Sequence, residues 1–228
     1  MTQTQRSPKK IYIWVNEWPT GYTACDYVDT MATWSRTWAV LNTGVGIAEN
    51  YLKLQFWVEF IFRNWSGQYF YNRAASPWLS AERYSGATYL NAWSSTWISW
   101  VQPSLTSNVY YVWDIEYNNG SISLDLNGTT YTGSYSGTIA RTSQYYWENN
   151  FAFGGGLMSS SPGVTDNTRM HIYYLKMYTW SNFTLVRDFR PMTRNADSVA
   201  WLYDMVNNEF YTSANTWQPF IAWFINNA

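Results

Sequence analysis

Asp114 and Glu116 stand two residues apart in VYYVWDIEY, where Val109, Tyr111, Trp113, Ile115 and Tyr117 alternate with Tyr110, Val112, Asp114 and Glu116. A strand turns successive side chains to opposite faces, so the two carboxylates share one face. Two carboxylates on one surface are what glycosidic-bond cleavage requires, one as general acid and the other as nucleophile or base. The rest of the chemical inventory is thinner. His171 is the single histidine; it lies inside RMHIYYLKMYTW with no signal of a triad partner, so a hydrogen-bonded structural role is expected. Cys25 has no second cysteine to pair with and no nearby histidine to lower its pKa, and is expected to be a small buried apolar side chain. No His/Cys cluster has zinc spacing. Asp166, Asn167, Asp197 and Asp204 fall in or beside turns and offer oxygens to a Ca2+ ion, although their spacing is not that of a known calcium loop. Gly154-Gly155-Gly156 lacks the Lys-Ser/Thr and the helix of a phosphate loop, and is expected to let backbones approach closely at a strand end.

The elements that must position these residues read as strands throughout. From Arg169 to Tyr211 the chain is a series of short strands, punctuated at Ser181-Asn182, between Pro191 and Asp197, and at Asn207-Asn208, which is the pattern of an antiparallel meander. Between Tyr51 and Arg63, Leu52, Leu54, Phe56, Val58, Phe60 and Phe62 alternate with Lys53, Gln55, Trp57, Glu59 and Arg63, which predicts a long strand with one buried and one polar face. SISLDL meets TTYT across Asn127-Gly128, two residues that tolerate positive φ, and the pair is predicted to be a hairpin.

Between Asn64 and Ser107 the Ser-Gly and Ser-Pro steps predict short strands at Gln68 to Asn72, Thr88 to Leu90 and Thr96 to Val101, with loops carrying Trp78, Tyr84 and Trp93. The chain holds 16 Trp, 20 Tyr and 11 Phe. Rings in such number serve cores, protein interfaces and sugar-stacking platforms. Trp78, Tyr84, Trp93, Tyr146 and Trp147, set among polar residues, are the candidate glycan-stacking residues.

IYYLKMY, a short turn, TLVRDFRP and then VAWLYDMVNNEFYT resemble the C-terminal half of the concanavalin A-like, laminin-G-like jelly-roll modules of bacterial surface proteins and bacteriophage virions. The resemblance extends back to DYVDTMATWSRTWAVLNTGVGIAENYLKLQFWVEFIF, in which Leu41-Asn42-Thr43-Gly44-Val45 is similar to the family's Asn-Thr-Gly-Ile step, and it spans Asp26 to Thr212. It implies an all-β chain, an antiparallel two-sheet jelly-roll sandwich of the concanavalin A-like lectin/glucanase type. Glucanases of this fold carry Glu-x-Asp-x-Glu on one strand, the outer two residues being nucleophile and general acid. Here the first position is Val112, so the pair is incomplete, and no catalytic residue is assigned.

Composition sets the remaining bounds. A net charge of -1 with 13% charged residues gives no basic field for nucleic acid. The most apolar run, Phe56 to Phe62, is short and interrupted by Glu59, so no membrane insertion is expected. No signal peptide opens the sequence, and synthesis in a host cytoplasm is expected. Residues 1–20 read as a polar arm with a short strand at Ile11, Ile13 and Trp14, 21–212 as the sandwich, and 213–228 as a hydrophobic C-terminal tail with Trp217, Phe220, Trp223 and Phe224. These two extensions are candidate interfaces that either pack on the domain or enter a partner subunit. The expected role is a non-catalytic virion structural, capsid decoration or tail-fibre protein acting by attachment to other virion or surface subunits, with homo-oligomers included. The alternative is a carbohydrate-binding module for surface polysaccharides. No cofactor is assigned beyond the Ca2+ oxygens named above.

Overall fold

In the computed structural model, the structure describes residues 18–30, 39–46, 50–61, 67–72, 78–84, 87–93, 105–106, 108–137, 151–154, 169–214 and 219–225. They form sixteen strands: β1 Tyr22–Ala24, β2 Tyr27–Asp29, β3 Leu41–Asn42, β4 Tyr51–Ile61, β5 Gly67–Asn72, β6 Trp78–Tyr84, β7 Ala87–Trp93, β8 Val109–Asn118, β9 Ser121–Leu126, β10 Thr129–Ser134, β11 Ala152–Phe153, β12 Arg169–Thr179, β13 Thr184–Arg194, β14 Ala200–Asp204, β15 Glu209–Tyr211 and β16 Ile221–Trp223. No helix among the described residues is long and apolar enough to cross a membrane.

The strands make two antiparallel sheets. The larger runs β10-β9-β8-β4-β12-β13-β14-β15, with β1 added to β13 and β2 joining β12 to β16; the smaller runs β3-β11-β5-β6-β7. The alternation in β4 and β8 decides which side of the large sheet is buried. Leu52, Leu54, Phe56 and Val58 pair in register with Tyr117, Ile115, Trp113 and Tyr111, all of them buried. The two sheets meet through rings: Phe56 stacks on Trp113 at 5.4 Å and meets Phe70 and Phe153 of the small sheet edge-on at 6.1 and 5.6 Å. Each such ring, fully withdrawn from water, stabilises by about 1.5–3 kcal/mol.

The Asn127-Gly128 hairpin forms as expected, with φ of 51° and 85°, and the meander β12 to β15 is present in order. The resemblance-derived step at Asn42 to Val45 is a turn in which the Asn42 side chain accepts the Gly44 N–H at 3.0 Å. Gly154 ends β11 at φ 86°, where a Cβ would come within 2.8 Å of the Ala39 carbonyl oxygen, the close approach its sequence context implied.

Three expectations need correction. Trp78, Tyr84 and Trp93 are not in loops: they lie on the hairpin β6–β7, where Trp78 stands opposite Trp93 and Tyr84 opposite Ala87. Pro191 does not break the chain but sits inside β13. There the strand changes neighbours on one side, from β12 (up to Phe189) to β1 (from Met192), while on the other it stays paired with β14. Pro191 accepts the Cys25 N–H at 3.2 Å at the changeover, the kind of ladder end where a missing N–H is tolerated. Phe220 is not a partner contact: it is 3% exposed in the core, and β16 beside it pairs with β2. At these residues the C-terminal segment takes the first of its two alternatives, packing on its own domain. Ile11, Ile13, Trp14, Tyr146, Trp147 and Trp217, with Asp166 and Asn167, lie outside the described residues.

Candidate functional site

The outward face of the large sheet collects the polar and half-buried aromatic positions that alternation leaves over. On β4 these are Lys53, Gln55, Trp57 and Glu59; on β8 they are Tyr110, Val112, Asp114 and Glu116. Register aligns them in rows, Lys53 with Glu116, Gln55 with Asp114, Trp57 with Val112 and Glu59 with Tyr110. β12 continues the rows with Tyr178, Lys176, Tyr174 and His171. A bulge in β12 between Ile172 and Tyr174 breaks the alternation. It lets both Tyr173 and Tyr174 leave the core side, while Ile172 and Leu175 stay buried in it.

One end of this face is a ribbon of rings crossing five strands. Tyr110 lies 6.3 Å from Trp57, Trp57 stacks on Tyr173 at 4.4 Å, Tyr173 meets Tyr27 at 5.0 Å, and Tyr27 stacks toward Trp223 at 6.3 Å. Burial pushes the Tyr27 phenol up to about 12 and moves Tyr173 upward as well. Both hydroxyls therefore stay protonated at neutral pH; that of Tyr27 is a hydrogen-bonding handle on an apolar plate, while that of Tyr173 is buried.

Beneath the ribbon lies an ionic cluster. Tyr27 also stacks on His171 at 4.3 Å. His171 Nδ1 is 2.7 Å from a Glu59 carboxylate oxygen, and its Nε2 faces Asp29 at 3.4 Å. Asp29, 1% exposed, accepts from Arg169 through Nε at 3.0 Å and through Nη2. Burial opposes charge on both titrating partners, but the contacts outweigh it: His171 is held above its ordinary pKa and Asp29 below its own. The structural role expected for His171 is met by Glu59, 112 positions away, and by Asp29, itself held by Arg169 across 140 positions, which no local pattern could reveal.

Beside the ribbon a groove of about 210 Å³ is lined by Gln55, Val112, Trp113, Asp114, Tyr174, Lys176 and Arg190. Its polar groups are tightly engaged. Gln55 donates to Asp114 at 2.7 Å and accepts from the Tyr178 hydroxyl at 2.8 Å, and Lys53 reaches Asp114 at 2.9 Å. Arg190 donates from Nη2 to Asp188 at 3.0 Å and keeps Nε in an ion pair with its other oxygen at 2.7 Å, and its guanidinium lies 5.3 Å from the centre of the Tyr174 ring. Val112, in the place a third acid would take, is 43% exposed at the groove wall.

The candidates named from sequence are dispersed. Trp78 and Trp93 pair across the small sheet, away from this face; Trp223 joins the ribbon; Phe224 is exposed next to it. Trp57 and Tyr110 were legible as outward-facing, yet only the register shows that they share one platform with Tyr27 and Tyr173. Of the turn oxygens, Asp197 is bound by Arg194 and the Val199 N–H, and Asp204 by the Asp188 and Val206 N–H groups and Asn207. Cys25 is buried, which pushes its thiol up to about 12.

No family model and no curated protein matches the chain. Among solved structures it is similar to domains LG4-5 of the mouse laminin alpha1 chain, with a TM-score of 0.50 and 13% identity over 72% of this chain; it spans 43% of that one. Weaker likenesses, both with a TM-score of 0.41, are to a galectin of Caenorhabditis elegans (15% identity, 69% of this chain, 95% of that one) and to domain 4 of an extracellular arabinanase of Geobacillus stearothermophilus, solved with arabinotriose (16% identity, 61% and 68%). The laminin match and the two-sheet topology agree on the architecture, a concanavalin A-like, laminin-G-like jelly-roll sandwich.

Proposed function

From a jelly-roll sandwich of the laminin-G-like kind, we propose a non-catalytic glycan-binding module that holds its ligand on the outward face of the large sheet. The observation that carries this reading is the ring ribbon from Tyr110 through Trp57, Tyr173 and Tyr27 to Trp223, set beside a groove of paired polar groups. A sugar ring has an apolar face of C–H groups and a rim of hydroxyls. The rings left partly open, Tyr27, Trp57, Tyr110 and Trp223 around the buried Tyr173, match the first, and fixed donors and acceptors such as Gln55, Asp114 and Arg190 match the second. Catalysis is not assigned, because the acid trio lacks its member at Val112 and Asp114 is engaged by Lys53 and Gln55. Titration calorimetry against a panel of polysaccharides tests the reading. Binding is expected to fall at least about tenfold in Trp57→Ala while the fold persists. A flat response of the intact chain across the panel overturns it.

Attachment to a larger assembly, in a virion or on a cell surface, is a second reading. It is favoured by three consecutive apolar side chains at one edge: Trp223, Phe224 and Ile225 are 46%, 51% and 38% exposed. Light scattering on the intact chain and on a Phe224→Ser variant tests self-association there, and a monomer in both cases removes the homo-oligomeric form of this reading.

A further inference from the structure

Resting on the reading of this face as a glycan platform, we infer that the ligand it selects is built of uncharged sugar residues, and that uronate-bearing or sulfated chains are rejected. Recognition of a carboxylate or sulfate calls for a cation with its donors free, above all an arginine fork that can grip two oxygens. The groove has one arginine, and it is already paired: Arg190 donates from Nη2 to one oxygen of Asp188 at 3.0 Å and keeps Nε 2.7 Å from the other as an ion pair. The lysines are committed in the same way. Lys176 lies 3.6 Å from Asp188, and Lys53 lies 2.9 Å from Asp114 and 3.9 Å from Glu116.

Three cations and three carboxylates thus cancel along the groove, and at the far end of the face Asp29 occupies Arg169 as well. An incoming anion would have to break an internal pair and then sit against the displaced carboxylate. A like charge placed there acts as an element of rejection. A neutral hydroxyl meets no such conflict: it donates to the remaining lone pairs of Asp114 and accepts from the remaining N–H groups of Arg190. Pairing removes the net field but leaves both kinds of hydrogen-bonding group fixed in place.

The test uses the full chain and two matched sets of probes, neutral gluco-, galacto- and arabino-oligosaccharides on one side and oligomers of alginate, polygalacturonate and heparin on the other. Calorimetry is run at about 0.05 and about 0.5 M salt, which spans strong and weak screening. The expected result is binding confined to neutral probes, with an affinity that salt leaves within about twofold, since no ligand charge is there to screen. Asp188→Asn should free the Arg190 fork and Lys176, and raise affinity for acidic oligomers at least about tenfold. If that variant loses its cooperative melt, Asp114→Asn, which leaves Lys53 only the looser Glu116 contact at 3.9 Å, provides the same readout. Acidic probes that bind the unaltered chain as tightly as neutral ones overturn this selectivity and leave the glycan platform standing. An Asp188→Asn or Asp114→Asn protein that folds and gains nothing toward acidic probes overturns it too. Silence from both sets removes the platform and the selectivity together.

Discussion

Asp29→Asn is the substitution that weighs most on the ionic cluster under the ring ribbon. The carboxylate is 1% exposed, accepts from both Nε and Nη2 of Arg169, and faces His171. Asparagine keeps the shape, but it sets an amide donor against a guanidinium or an imidazolium and leaves Arg169 without its counter-charge. Removing one partner of a buried pair costs about 3–5 kcal/mol. The Arg169 side chain is 20% exposed and Glu59 still faces His171, so the low end, about 3 kcal/mol at neutral pH, is expected. For a domain of this size that lowers Tm by about 6–12 °C. The pH profile gives a second readout. Asp29 has a depressed pKa, so its contribution is complete above its unfolded value of about 3.9 and fades as pH falls through the folded one. His171 has a raised pKa, so its contribution is complete below about 6.5 and fades as pH rises through the folded value. Thermal melts from pH 3 to 9 should therefore show both limbs in the parent chain and shallower ones in the variant. A Tm loss under about 2 °C with an unchanged profile would refute the pairing.

Phe220→Ala should cost about 3–5 kcal/mol in urea unfolding, because a 3%-exposed ring leaves a cavity; a loss below 1 kcal/mol would return this residue to the surface. Gly154→Ala should cost about 2 kcal/mol, since φ is 86° and the new methyl would meet the Ala39 carbonyl oxygen at 2.8 Å; an unchanged urea midpoint speaks against that backbone. Val58→Asp, and Phe56→Asp likewise, should give no folded soluble protein, because each puts an unpaired carboxylate between the sheets; a monomeric cooperative mutant on gel filtration contradicts the facing of β4.

How far the sequence discloses this molecule follows from how local each determinant is. β4, β8 and the Asn127-Gly128 hairpin are legible because alternation and positive φ are written within a dozen residues. β6 is not: in WLSAERY the buried Leu79 and Ala81 flank Ser80, itself 1% exposed, so no apolar–polar contrast marks the strand. Pro191 reads as a turn until β12 and β1 are seen to share β13 between them. The site is harder still, because its ribbon draws one ring from each of five strands. The one local hint is the YY step in HIYYLKM, where the period of two fails at the bulge.

The seam between β2 and β16 carries a kinetic consequence. The Ile225 N–H donates to Asp26 across 199 positions of sequence, and Val28, wholly buried, pairs with Ala222. A ribosome delivers residues 26–29 long before 221–225, so for most of translation this edge is an open template for a stray strand. Closure over so long a loop is slow. The seam is thus where a nascent chain is most exposed to mispairing and where a chaperone has most to protect.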